Sequence, residues 1–285
     1  MQQPEQLQEP AAPERQGAQQ ERPGRPRHRP APRPVEVVGV ERLGPRMISV
    51  SFGGERLEGF PVPAPTAHIK LFLPDEHGQL ALPAAGPDGL QQPQARPIMR
   101  TYTPRRYNPA TNILEVQFVL HGDGPASRWA AQATPGDRAA VGGPGGRFSL
   151  GPEATRWWIA GDESALPAIA TLLDALPDDA QAQVHLEVDG PDDQIAVPAR
   201  PGIGIRWHLR ADPHGSHCGT ELIRAARLTG PGPADRVWVA CEAGVVRQIR
   251  TYLLAERSLP RDRVTTRGYW RLGEANHPDH DYGED

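Results

Sequence analysis

Trp157-Trp-Ile-Ala-Gly-Asp-Glu-Ser-Ala-Leu-Pro-Ala-Ile-Ala-Thr-Leu-Leu-Asp-Ala-Leu176 changes its apolar rhythm part-way along. The first four residues are a short, strand-like apolar run. After Gly161-Asp-Glu-Ser164, the apolar positions Leu166, Ile169, Leu172, Leu173 and Leu176 fall at helical spacing, with Ser164 placed to cap the helix. Downstream, 183–188 and 205–209 alternate as strands. Residues 237–241 then run into 244–257, where Val245, Val246, Ile249, Tyr252 and Leu253 form a second helical stripe. Strand, helix, strand, strand, helix predicts an α/β layer with a mainly parallel sheet over residues 152–273.

Upstream the rhythm is different. Ile113-Leu-Glu-Val-Gln-Phe-Val-Leu120 places Leu114, Val116, Phe118 and Leu120 on one face of a strand by period-two alternation. Further strand-like runs occupy 35–40, 47–52, 67–72 and 100–103, separated by turn-rich linkers such as 83–97 and 107–112. This predicts an antiparallel β-barrel over residues 35–151. Residues 1–34 hold eight prolines, seven glutamines and six arginines and hardly a large apolar side chain, so they read as a disordered arm. Residues 274–285 read as a loose acidic tail.

Charge and composition exclude several classes. A net charge of −4 gives no basic footprint for nucleic acid. Two cysteines, Cys218 and Cys241, make neither a disulfide framework nor a paired-cysteine zinc site, which fits a reducing compartment. No apolar run approaches about 18 residues and no hydrophobic signal core is present, so a cytoplasmic monomer without membrane insertion is expected. Of 31 basic residues, only Lys70 is lysine. The general preference for arginine fits a GC-rich coding background.

A barrel followed by an α/β layer suits a cofactor held between them. Arg100-Thr-Tyr102-Thr103 has the Arg-x-Tyr-Thr/Ser form. Period two puts Arg100 and Tyr102 on one side, where a cation meets phosphate and a ring stacks on an isoalloxazine, with Thr103 near the flavin edge that receives hydride. In Phe118-Val-Leu-His121-Gly-Asp-Gly124-Pro-Ala-Ser127-Arg-Trp-Ala130, a strand passes through a glycine-containing loop to a helix start at Ser127. Backbone N–H groups there make an anion site, with His121 as a further donor.

Four segments together resemble the siderophore-interacting proteins, a family of flavin-dependent ferric-siderophore reductases in the ferredoxin-reductase-like group. They are Arg100-Thr-Tyr-Thr-Pro-Arg105, His121-Gly-Asp-Gly-Pro-Ala-Ser-Arg-Trp-Ala130, Gly161-Asp-Glu-Ser-Ala-Leu-Pro-Ala-Ile169 and Gly268-Tyr-Trp-Arg-Leu-Gly273, spread over about residues 35–273. The resemblance implies a Greek-key FAD domain and a Rossmann-like NAD(P)H-binding domain. Its FAD contacts fall on Arg100, Tyr102, Thr103, Arg105, His121, Gly124, Pro125, Ala126 and Ser127, with the Ser164–Ala165 step facing the flavin and Ser standing where Thr is usual. Nicotinamide approach falls on Cys241 and Glu242, where Cys241 replaces a more usual glycine. NADH, NADPH or a ferredoxin supplies the electrons.

The resemblance also places substrate cations for an anionic ferric siderophore at Lys70, Arg147 and Arg271. Lys70 carries the sharper argument, since an ammonium is compact where a guanidinium is a planar fork. The implied reaction reduces Fe(III) to Fe(II), weakening the hold of hard oxygen ligands, with no protein acid, base or nucleophile required. Two other readings compete. One is a flavin oxidoreductase with another electron acceptor. The other is a non-catalytic metal- or siderophore-binding protein using His214, His217, Cys218, His277 and His280, whose spacing fits no standard zinc module. No metal site is expected.

Overall fold

The computed structural model describes residues 30–86, 89–122, 124–146, 148–151, 154–210, 218–278 and 282. Most of the N-terminal arm, Arg147, and the histidines His214, His217 and His280 lie outside the described residues.

The first domain is antiparallel throughout. Its strands are β1 (Arg33–Gly44), β2 (Met47–Gly53), β3 (His68–Leu73), β4 (Ala84–Gly86), β5 (Gly89–Gln91), β6 (Ile98–Tyr102), β7 (Pro104–Asn108) and β8 (Ile113–Val119). Helix α1 (Pro125–Gln132) and strand β9 (Arg138–Gly145) complete it. Seven strands run in the order β6-β3-β9-β1-β2-β8-β7, and β4 with β5 forms a separate hairpin. Strands β6 and β7 stand at opposite edges of this sheet, yet a single residue, Thr103, separates them. The sheet must therefore roll until its edges meet at that corner, which makes the expected barrel.

Alternation explains the filling. Leu114, Val116 and Phe118 are fully buried, as are Ile69, Leu71, Phe52 and Val141 from the strands around them. Each such side chain contributes about 1.5–3 kcal/mol relative to exposure. Trp129 of α1 plugs one end, its ring 6.0 Å from those of Phe52 and Phe118.

The second domain is wholly parallel. It contains β10 (Arg156–Asp162), α2 (Leu166–Ala175), β11 (Gln181–Val188), β12 (Ile203–Leu209), α3 (Thr220–Thr229), β13 (Arg236–Glu242), α4 (Ala243–Thr251) and β14 (Val264–Trp270). The order β12-β11-β10-β13-β14 reverses at β10, so the crevice outside the carboxyl ends of β10 and β13 is the topological switch point. Gly161 is required at that end of β10. A Cβ there would lie 2.7 Å from the Ala165 Cβ and 2.8 Å from the Ala240 carbonyl oxygen.

Several expectations need correction. The arm ends earlier than position 34, because Arg33 and Pro34 pair with Val141 and Ala140 of β9. The linker at 83–97 holds the β4–β5 hairpin, and Tyr107 and Asn108 of the second linker belong to β7. Strand β9, Arg-Ala-Ala-Val-Gly-Gly-Pro-Gly, hides behind its glycines and proline. Neither α3 nor β14 was expected. Ser164 does not cap the helix; the Asp162 carboxylate accepts the Ser164 N–H at 3.0 Å, because a carboxylate two residues earlier reaches the first free donor of the turn. Helix α1 starts at Pro125 with Gly124 as its cap, rather than at Ser127. The tail is also tied down in part, since the Thr266 hydroxyl donates to the Tyr282 carbonyl oxygen at 2.5 Å and the Arg267 guanidinium covers the Tyr282 ring at 4.3 Å.

The domains meet along an apolar seam in which Met47 and Val119 of the barrel pack with the cluster containing Trp157 and Ile159. Arg105 on β7 bridges to Asp174 on α2 at 2.8 Å, and the Thr66 N–H donates to the Thr171 hydroxyl at 3.0 Å.

Candidate functional site

The β6–β7 corner and the β8–α1 turn of the barrel face the carboxyl edge of the parallel sheet. The Thr103 side chain hydrogen-bonds the phenol of Tyr269 on β14, and Glu163, just past β10, is a charge neighbour of His121. Burial pushes the Tyr269 phenol up to about 12.

On β6 the register sets Arg100 opposite Leu71 and Tyr102 opposite Ile69, so these two share the inward face as their spacing requires. The Tyr102 ring lies 4.4 Å from that of Phe118, and burial raises its phenol pKa. At the next turn, the His121 N–H donates to Ser127 Oγ at 3.0 Å, which folds the loop back onto the first turn of α1. Partial desolvation holds the His121 imidazole below its usual range, opposed by Glu163 and reinforced by Arg46. Among the described residues, no side chain caps α1, and a Cβ added at Gly122 (φ +50°) or Gly124 would meet nothing within 4 Å. Uncapped N–H groups facing open space are what a pyrophosphate needs. Pro125 and Ala126 shape this turn, and Ala126 and Ser127 are buried beneath it.

Asp162 dominates the sheet side. It is 2% exposed and accepts from the Ser164 N–H at 3.0 Å, the Ser164 hydroxyl at 2.5 Å and the Trp270 indole at 2.7 Å. Burial, with Glu163 adjacent, pushes its carboxyl up to about 7 despite those donors. Arg210 lies beside it, bonded to both oxygens of Glu163 at 2.8 and 2.5 Å, to Glu187 at 3.0 Å and to Asp189 at 2.5 Å. Arg46 of the barrel joins the same Asp189.

Residues 36–148 match the siderophore-interacting FAD-binding domain, and residues 154–273 match the siderophore-interacting protein domain. The chain is 33% identical to the ferric vibriobactin reductase of Vibrio cholerae over 85% of this chain and 90% of that protein. It is 31% identical to the NADPH-dependent ferric-chelate reductase of Escherichia coli over 84% of this chain and 92% of that one. A siderophore utilization protein from T. fusca superposes with a TM-score of 0.79 at 37% identity, covering 89% of this chain and all of that one. The chain belongs to the siderophore-interacting protein family.

The barrel is the family's FAD-binding domain, and its residues fit FAD: an aromatic and a guanidinium share one strand face, beside a helix N-terminus open to an anion. Within that frame, several residues expected at the site also have partners within the chain. Arg105 ties the domains through Asp174. Ala165 is fully buried in the core below Gly161, so of the Ser164–Ala165 step only Ser164 is partly accessible. Cys241 is 1% exposed within the α3–α4 side core, where burial raises its thiol pKa well above normal. Glu242 caps α4 through the Val245 N–H at 2.9 Å and accepts the Leu272 N–H at 3.4 Å.

Among the expected substrate cations, Lys70 pairs with Thr101 across β3 and β6 and donates to its hydroxyl at 2.7 Å. Alternation puts this pair on the outer face of the barrel wall, opposite Arg100 and Tyr102 rather than beside them. Arg271 follows β14 and pairs with Glu274 at 3.3 Å. Sequence reasoning missed the roles of Asp162, Trp270 and Tyr269, although all three stood inside quoted motifs. The Glu163–Glu187–Asp189–Arg210 network left no local signal, because its members gather from the ends of three strands, β10, β11 and β12, that are far apart in the chain. Among the described residues, no group of three or more His, Cys, Asp or Glu could hold a metal ion, and no helix is long and apolar enough to cross a membrane.

Proposed function

We propose that this protein is an FAD-dependent ferric-siderophore reductase that takes electrons from NADH or NADPH and reduces Fe(III) to Fe(II) in an anionic chelate. The observation that carries the reading is the N-terminus of α1, open and uncapped among the described residues, next to the Arg100–Tyr102 face and opposite the switch point of a parallel sheet. Relatives named as ferric-siderophore and ferric-chelate reductases support it.

Bound FAD supplies the conversion of a two-electron hydride into single electrons. Tyr102 offers a ring face, Arg100 a guanidinium for phosphate, and the turn at His121, Gly124, Pro125, Ala126 and Ser127 offers backbone donors. Thr103, held by Tyr269, fixes the corner where the domains meet. Lys70, Arg147 and Arg271 are the cations proposed to attract the chelate. The protein is proposed to act as a cytoplasmic monomer, with a ferredoxin as the alternative donor.

The test is an anaerobic assay of the reduced holoenzyme against a panel of ferric chelates, trapping Fe(II) with a ferrous-specific chelator. Ferrous iron formed with anionic chelates supports the reading. A reduced flavin that reoxidises with none of them overturns it.

A further inference from the structure

We propose that Asp162 sets the direction of the Ser164 hydroxyl, so that Ser164 offers the flavin site a hydrogen while the cofactor is oxidised and a lone pair while it is reduced. Asp162 acts through Ser164 and is in that sense a positioning residue. The proposal deepens the FAD-dependent reductase reading above and rests on it.

Among the described residues, three donors converge on the buried Asp162 carboxyl. Oδ1 takes the Ser164 N–H at 3.0 Å and the Ser164 hydroxyl at 2.5 Å, and Oδ2 takes the Trp270 indole N–H at 2.7 Å. An ionised carboxylate accepts from all three. A protonated carboxyl has to turn its own hydrogen toward one of these partners, and neither an amide N–H nor an indole N–H can accept it. The Ser164 oxygen can. The Asp162 hydrogen then occupies the 2.5 Å contact, and the Ser164 hydrogen is turned away from Asp162. One proton at Asp162 thus reverses the hydrogen-bond polarity of Ser164 without moving a heavy atom.

Ser164 is the outward-looking member of the pair. Asp162 is 2% exposed, whereas Ser164 keeps partial exposure in the 3-10 turn Glu163–Ala165. That turn packs against β8, the strand that feeds the His121 turn, and Glu163 is a charge neighbour of His121. On the other side Tyr269, next to Trp270, is bonded to Thr103 at the β6–β7 corner. The groups around Asp162 are Glu163 in its own turn, Arg210 after β12, Tyr269 on β14, Cys241 on β13 and Cys218 ahead of α3, with Glu187 and Glu242 as further neighbours of Arg210 and Cys241. Burial, with Glu163 adjacent, pushes the Asp162 carboxyl up to about 7, so both of its protonation states are within reach near neutral pH.

This polarity matches the two states of a flavin, whose reactive edge accepts hydrogen bonds when oxidised and carries an added N–H when reduced. The Ser164 hydrogen, with Asp162 protonated, suits the first state. The Ser164 lone pair, with Asp162 ionised, suits the second. As the electron pair of the reduced cofactor passes to two Fe(III), Ser164 Oγ accepts the one proton shed and hands its own hydrogen to the Asp162 carboxylate. Two Fe(II), oxidised cofactor and one protonated carboxyl result. Asp162 gives that proton up to solvent when the next hydride arrives.

The test is spectroelectrochemical titration of the FAD-loaded protein from about pH 5 to 9, giving the flavin midpoint potential of wild type, Asp162→Asn, Ser164→Ala and Ser164→Thr. If Asp162 loses its proton on reduction, the potential of wild type should depend on pH by up to one proton fewer per two electrons, in a window just below about pH 7, than that of Asp162→Asn or Ser164→Ala. Ser164→Thr, which keeps the hydroxyl, should retain the flattened window. Infrared difference spectra between oxidised and reduced protein at about pH 6 should show a protonated carboxyl lost on reduction in wild type and Ser164→Thr, and no such change in Asp162→Asn or Ser164→Ala. The same pH dependence in all four proteins overturns the proposal, as does a carboxyl signal in wild type that does not change with redox state. Neither measurement uses iron or a nucleotide, so failure of the reductase reading is seen separately, in the assay that traps Fe(II).

Discussion

The Trp270 indole N–H donates to Oδ2 of Asp162 at 2.7 Å, joining two residues 108 positions apart across the intervening strand β13. Trp270→Phe keeps the ring and removes the donor, leaving one oxygen of a buried carboxylate short of a partner. A loss of about 1–3 kcal/mol in unfolding free energy is expected, read by denaturant titration. An unchanged midpoint would show that the bond contributes nothing.

Asp162 also has a pH signature of unusual sign. Its carboxyl rises from 3.8 to about 7 on folding, so the folded state binds the proton more tightly than the unfolded chain. The resulting stability is fully present below about pH 4 and is lost as the pH rises through about 7. Comparing unfolding free energies of wild type and Asp162→Asn from pH 4 to 8 isolates this component. The difference between the two proteins should change across that window, and a difference independent of pH would contradict the assignment.

His185 carries the reverse sign. It is 1% exposed on β11, with Nδ1 3.0 Å from Nε2 of His208 on β12 and the Trp158 ring 5.3 Å away. Burial first, then His208 and Arg206, lower its pKa from 6.5 to about 4. Stability from the neutral imidazole is present above about pH 6.5 and is lost as the pH falls toward 4. His185→Phe, which fills the site without a titrating group, should lose less stability than wild type between pH 7 and 4.5. An equal loss in thermal melts across that range would refute the idea.

Among the described residues, the flavin turn is tied to α1 by a side-chain bond from the His121 N–H to Ser127 Oγ. Ser127→Ala keeps α1 intact and releases the loop, at a cost of about 1 kcal/mol. The ratio of flavin to protein absorbance after dialysis should fall relative to wild type. Full flavin retention would show that the loop is held by other means.

What the sequence made legible follows the range of each signal. The alternation in 113–120 and the strand-to-helix change at 157–176 are local, and both appear in β8 and in β10–α2 as expected. Strand β9 was not legible, because glycine and proline mark turns and here they sit inside a paired strand. The turn at 121–127 could be read because its donors are neighbours in the chain. Asp162 was visible as a residue but not as a cap and tether, since its partners Ser164 and Trp270 include one from the far end of the domain. Arg105 was placed by motif, while its partner Asp174 lies on another domain's helix.

Lys70 gives the sharpest test of the substrate side. Its neighbours in β3, Ile69 and Leu71, are fully buried inside the barrel, whereas Lys70 points to the other face and donates to Thr101. Truncation there leaves the core and the Arg100–Tyr102 face untouched. If the ammonium attracts an anionic chelate, Lys70→Ala should raise KM for a ferric catecholate by about tenfold and leave flavin content unchanged. Lys70→Arg separates charge from shape. A fork larger than an ammonium should recover only part of the loss if the position is tight, and nearly all of it if only charge matters. An unchanged KM in Lys70→Ala would remove Lys70 from the substrate site, and the one lysine among thirty arginines would return to being a coding accident.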